Sequence, residues 1–186
     1  MRHVAFLLLA AVSTASAQSN PPARDGIWFG AGAGYASVAF VCDSCPEFDR
    51  EGGPVVFLKA GGTVAERTLM GLEFALWRKD VGGSKVTVTQ VSATGTFYMT
   101  RQSGFFMKIG GGFSTYNAKG GSEFEGLGGG FTIGAGYDIR LTSGVSITPT
   151  AGYLHGDVDD IKVDGITQDA AWRQSMLHVG VGVTFH

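Results

Sequence analysis

Charge is scarce in this chain. Asp, Glu, Lys and Arg make up 16% of its 186 residues, well under the ~25% of an ordinary soluble domain, and the formal net charge is -2. There is no polybasic tract, so nothing in the charge invites a nucleic acid. Cysteine is nearly absent: Cys42 and Cys45 are the only two, too few to staple a fold of this size. Beyond the first segment, no apolar run is long enough to cross ~30 Å of bilayer hydrocarbon as a helix. What is abundant is glycine, at thirty residues, about twice the usual ~7% share. These glycines are scattered through apolar stretches without a collagen-like triplet. Since each weakens a helix by about 1 kcal/mol, the composition favours many strands joined by turns.

The first segment reads as a targeting signal. Arg2 supplies a positive start, residues 4–12 are an apolar run of signal-peptide length, and Ala15-Ser16-Ala17 is a small-x-small cleavage site. The expected organisation is a signal peptide at 1–17, a flexible periplasmic leader at 18–24 containing Pro21 and Pro22, and one domain at 25–186. Export carries the two cysteines into an oxidising compartment.

Eight stretches alternate with period two, at about 25–40, 54–64, 68–79, 85–101, 104–117, 125–141, 144–156 and 170–185. Each has the ~9–11 residues a tilted strand needs to cross a bilayer. The connections alternate in length: 41–53 is long, 65–67 short, 80–84 modest, 102–103 short, 118–124 long and Gly-rich, 142–143 tight, and 157–169 the longest. Outer-membrane barrels show this asymmetry, with short periplasmic turns and longer external loops. The faces differ as well. In the last stretch Leu177, Val179, Val181, Val183 and Phe185 share one side, and Met176, His178, Gly180, Gly182 and Thr184 the other. The apolar faces carry almost no charge, which suits lipid outside and small or polar groups within. The fold class is therefore all-β, an eight-stranded antiparallel up-and-down transmembrane barrel. Tyr35, Tyr116, Tyr137 and Tyr153 are candidates for interfacial girdles. Trp28, Trp77, Tyr98 and Trp172 fall on the inward parity and are expected to plug the mouths.

The same parity assigns Lys59, Glu73, Lys108, Asp138 and Arg140 to the lumen, all toward the periplasmic half. With a turn centred on Glu66, Lys59 faces Glu73 across one hairpin as an opposite-charge pair. Eight strands enclose just enough room for side chains. These groups, with Thr96, Gln90 and His178, are expected to form a hydrogen-bonded plug, an ion path being the functional alternative. Cys42 and Cys45 fall in the first external loop, where their spacing allows a local disulfide; metal or redox chemistry needs further ligands or a thioredoxin-like setting, and neither is visible. The carboxylates of 157–164 lack EF-hand spacing and read as a solvated acidic loop. Ser175 and His178 have opposite parity, which excludes a nucleophile–base bond between them in a regular strand. His155 and Asp157 share a face near the outer rim, with no nucleophile assigned to them. No catalytic residue, metal or cofactor is proposed.

With these segments placed, the chain resembles the small outer-membrane barrel family that includes the OmpA membrane domain, OmpX and the opacity-type surface proteins. The most specific part is the final strand, residues 177–185. It is similar to the alternating, aromatic-terminated signal read by the outer-membrane assembly machinery, except that His186 follows Phe185. The resemblance implies a bacterial outer-membrane location, contact with lipid bilayer and lipopolysaccharide, and a lumenal charge network corresponding to Lys59, Glu73, Lys108, Asp138 and Arg140. An HxSN stretch of the barrel lipid-A deacylases is absent. The expected role is non-enzymatic: envelope stabilisation, or adhesion to an unknown surface ligand through external loops. A lipid-modifying enzyme and a narrow channel are the alternatives.

Overall fold

The computed structural model describes residues 24–42 and 49–186, and the side chains of all of these except 42, 159, 160 and 168–171. The expected signal peptide, the leader up to residue 23 and the Cys42–Cys45 disulfide lie outside the described residues.

The strands are β1 (Ile27–Cys42), β2 (Glu51–Ala65), β3 (Thr68–Val81), β4 (Ser84–Tyr98), β5 (Phe105–Lys119), β6 (Glu123–Tyr137), β7 (Ile139–Arg140), β8 (Val145–Val163) and β9 (Ile166–Phe185). Consecutive strands pair antiparallel except β6 and β7, which both pair with β8, and β9 returns to pair with β1, from Phe29↔Phe185 to Cys42↔Trp172. β6 and β7 make one barrel strand interrupted at Asp138, since both lie against β8 in one register, Gly136↔Thr150 and Ile139↔Ile147. The result is a closed eight-stranded up-and-down barrel. Closure gives each barrel strand a neighbour on both sides through the body of the barrel, which removes the free edges of an open sheet there.

Alternation sorts the side chains. Even residues point inward in β1, β4, β5 and β6, and odd ones in β2 and β3. Even residues also point inward along β8 as far as Val158 and in β9 between Trp172 and Thr184. In β8 a bulge between Val158 and Asp160 then resets parity, so that Ile161 is buried. Val179 is 61% exposed while its neighbour His178 is 8%.

The far end, opposite the termini, is built differently from the sequence reading. The expected long loop at 157–169 is mostly strand: β8 and β9 run on as a hairpin closed by Asp164 and Gly165. Both turn residues have positive φ, 47° and 84°, the two-residue turn whose twist matches that of paired strands. Gly82 and Gly83 close β3–β4 in the same way, at 57° and 82°. The 118–124 loop shrinks to residues 120–122. An apolar cross-strand ladder explains the first extension: Val163 faces Ile166 and Phe124.

The interior also departs from a uniformly small and polar lining. Toward the far end it is an apolar core, with Val38, Phe40, Val55, Trp77, Leu154 and Met176 packed together beside Tyr116 and Trp172. Phe40 sits at its centre, with ring centroids 5.3 Å from Tyr116, 5.7 Å from Trp172 and 6.4 Å from Trp77. Tyr116 therefore belongs to this plug and not to an outer girdle. Its even position in β5 points it inward.

Candidate functional site

The lumenal charges occupy the half nearer the termini, in two layers. In the upper one, Lys59 and Glu73 stand opposite each other in register. Yet the carboxylate is taken by Lys108, whose Nζ donates to both Glu73 oxygens at 2.5 Å. Glu73 is buried and Lys108 nearly so, their side chains 7% and 12% exposed. The expected partner was therefore adjacent but not chosen. Lys108 reaches Glu73 across β4, while the Lys59 ammonium lies 5.8 Å from the Phe106 ring centroid. Above this layer, Gln90 Nε2 donates to Ser92 Oγ and to the Phe131 carbonyl, both at 3.1 Å. Gln174 Nε2 donates to Ser114 Oγ at 2.6 Å.

The lower layer closes the mouth at the termini. Asp138 sits where β6 breaks into β7. It accepts from the Tyr98 hydroxyl at 2.6 Å and from Thr148 Oγ1 at 2.8 Å. Thr148 also meets Thr184 at 2.9 Å, and His186 Nε2 comes within 3.8 Å of the carboxylate. Arg140 donates to the Ser143 carbonyl at 3.0 Å. The cap is Arg24, which sequence reasoning placed in a flexible leader. It is buried, its guanidinium 3.4 Å from the Tyr98 ring centroid, and Nη2 donates to the Ser103 carbonyl at 2.7 Å. Only the Pro-rich context was read; the aromatic platform for a cation lies far along the chain, at Tyr98.

The lumen is thus filled from both ends, and between the layers a cavity of about 30 Å³ remains. Glycine makes room where chains crowd: a Cβ on Gly152 would lie 2.6 Å from His178 Cε1.

On the outer wall, His155 Nε2 lies 3.2 Å from Asp157 Oδ1, and Nδ1 3.4 Å from the Tyr153 hydroxyl. Ser175 is the cross-strand partner of His155, a pairing the sequence reading missed because β8 and β9 could not be registered without the bulge. Both imidazole nitrogens are nevertheless directed elsewhere, which leaves no base aimed at Ser175. The far end carries a groove of about 470 Å³ lined by Thr115, Tyr116, Asn117, Glu125, Gly126, Leu127 and Lys162.

A belt of exposed apolar side chains encircles this filled barrel. It includes Leu58, Leu72, Ile109, Phe113, Ile133, Leu177, Val179 and Val181, with Tyr35 and Tyr137 also facing out. In water such a surface is a liability; in hydrocarbon it is the matching one, and a closed barrel satisfies every backbone group there. Fold and surface together define a small integral β-barrel of the bacterial outer-membrane type. The end bearing the termini is then periplasmic and the far end external.

No protein-family model and no curated protein sequence matches the chain. Solved structures do. Neisserial surface protein A aligns with a TM-score of 0.53 at 20% identity, covering 83% of this chain and 96% of that one. OprG from Pseudomonas aeruginosa aligns at 0.52 and 13% identity, covering 88% and 97%. Ail, the attachment invasion locus protein of Yersinia pestis, aligns at 0.50 and 15% identity, covering 85% and 99%. What is shared at these identities is the eight-stranded outer-membrane barrel fold.

Proposed function

We propose that this protein is a non-enzymatic surface barrel of the bacterial outer membrane whose external hairpins bind a partner outside the cell. The observation that carries the reading is the length of the β8–β9 hairpin. Its strands have 19 and 20 residues, about twice the ~9–11 needed to cross a bilayer. The surplus, together with the ends of β5 and β6, stands above the apolar belt as a paired sheet. That sheet carries the 470 Å³ groove, whose polar lining includes Thr115, Asn117, Glu125 and Lys162. A strand-paired platform presents such groups at less ordering cost to a ligand than an irregular loop does. The lower barrel is the anchor, held in lipid and lipopolysaccharide by the belt and inserted through its final strand by the assembly machinery.

A catalytic reading finds less support, because the His155 ring contacts Asp157 and Tyr153 and not a nucleophile. The test is to shorten the hairpin by removing residues 160–169 and joining the strands through an Asn-Gly turn. Cells displaying the full chain are expected to attach to immobilised extracellular glycans and to other cells. The trimmed barrel should keep its heat-modifiable gel mobility and lose attachment. Equal attachment by both forms, or none by the full chain, would count against surface binding.

A further inference from the structure

We propose that the lumen holds a small inorganic anion of halide size, seated between Lys59, Thr96, Thr150 and His178. The argument begins with charge. This layer of the interior contains two ammoniums, Lys59 and Lys108, and one carboxylate, Glu73, whose two oxygens both accept from Lys108. Lys59 is left over. Among the described residues it makes no hydrogen bond or ion pair, and its ammonium lies 5.8 Å from the centre of the Phe106 ring. Asp138 and Glu73 attract it only from a distance, and a largely desolvated cation with no carboxylate in contact is costly.

The space beside it fits an anion. The cavity of about 30 Å³ is lined by Lys59, Glu73, Thr96, Lys108, Thr150 and His178, among others. A single water needs roughly 10–15 Å³, so a somewhat larger particle is admitted. The lining is rich in unspent donors. His178 is 8% exposed and its Nδ1 has no partner; a neutral imidazole with its proton on that nitrogen donates one N–H. Thr96 and Thr150 make no side-chain hydrogen bond among the described residues, so their hydroxyls are free to donate. Four donors, one of them cationic, meet around a space whose only carboxylate is already paired. A metal ion would face two ammoniums there, and water would leave the surplus charge in place. A halide answers both the charge and the donors.

Bromide is the probe. Crystals of the full chain grown in sodium bromide are expected to give an anomalous peak in this cavity, within hydrogen-bonding distance of Lys59 Nζ. An empty or water-filled cavity at that wavelength overturns the assignment. In solution, the unfolding midpoint of the detergent-folded barrel should rise by a few degrees in bromide relative to gluconate at equal ionic strength. That difference should vanish in Lys59→Met, and also in Lys108→Met, where Glu73 becomes free to pair with Lys59. A bromide effect equal in wild type and both variants would refute the site. If neither variant folds, the wild-type crystal decides alone.

Discussion

Glu73 faces two lysines and bonds one of them, which makes its loss worse than the loss of either partner. Removing one member of a buried ion pair costs about 3–5 kcal/mol, because the other charge is left stranded. Glu73→Gln strands two ammoniums. Lys108→Met strands none, since Lys59 already stands opposite the carboxylate in register. Denaturant unfolding in micelles is therefore expected to show Glu73→Gln losing at least about 3 kcal/mol, and Lys108→Met clearly less. Equal losses would mean that Glu73 does not change partners. Much of this was legible from parity: Lys59, Glu73, Lys108, Asp138 and Arg140 read as inward, because alternation alone assigns a face. Which lysine the carboxylate takes was not legible. That depends on side-chain reach across β4 and not on spacing. Arg24 was invisible for a similar reason, its partner ring lying 74 positions along the chain.

Strands are where the closure seam can be probed. β1 and β9 are joined outside the lumen by Phe29 and Phe185, register partners whose rings stack at 4.8 Å and 18°. Such a pair contributes about 0.5–1.5 kcal/mol beyond its buried area. Phe185→Ala should lower stability by about 1 kcal/mol more than Phe113→Ala, since Phe113, 66% exposed, touches no other ring among the described residues. A double-mutant cycle of Phe29 and Phe185 measures the coupling directly, and zero coupling would contradict the seam. The eight strands themselves were readable, because glycine-rich period-two runs have few other solutions. Their far-end lengths were not. The segment 157–169 is dense in carboxylates and resembles a loop, but its pairing is carried by Val163, Ile166 and Phe124 and by an Asp-Gly turn. Cross-strand partners decide such a case, and polarity within one segment does not.

For the molecule as a whole, the plug predicts silence. Both mouths are filled, by the Phe40–Trp77–Tyr116–Trp172 cluster at the outer end and by Arg24, Tyr98 and Asp138 at the other. Reconstituted in planar bilayers, the barrel is expected to show no steady conductance, and persistent unitary currents would require the interior to rearrange. The account rests, however, on which surface meets lipid. The most direct measurement is nitroxide accessibility along β9 at 176–185, one labelled cysteine at a time, in reconstituted barrels with Cys42 and Cys45 replaced by serine. Oxygen, which partitions into hydrocarbon, should collide most at 177, 179, 181 and 183, and least at 176, 178, 180 and 182. Protection of the odd positions from oxygen, with a water-soluble relaxation agent reaching the even ones, would contradict a bilayer-spanning barrel.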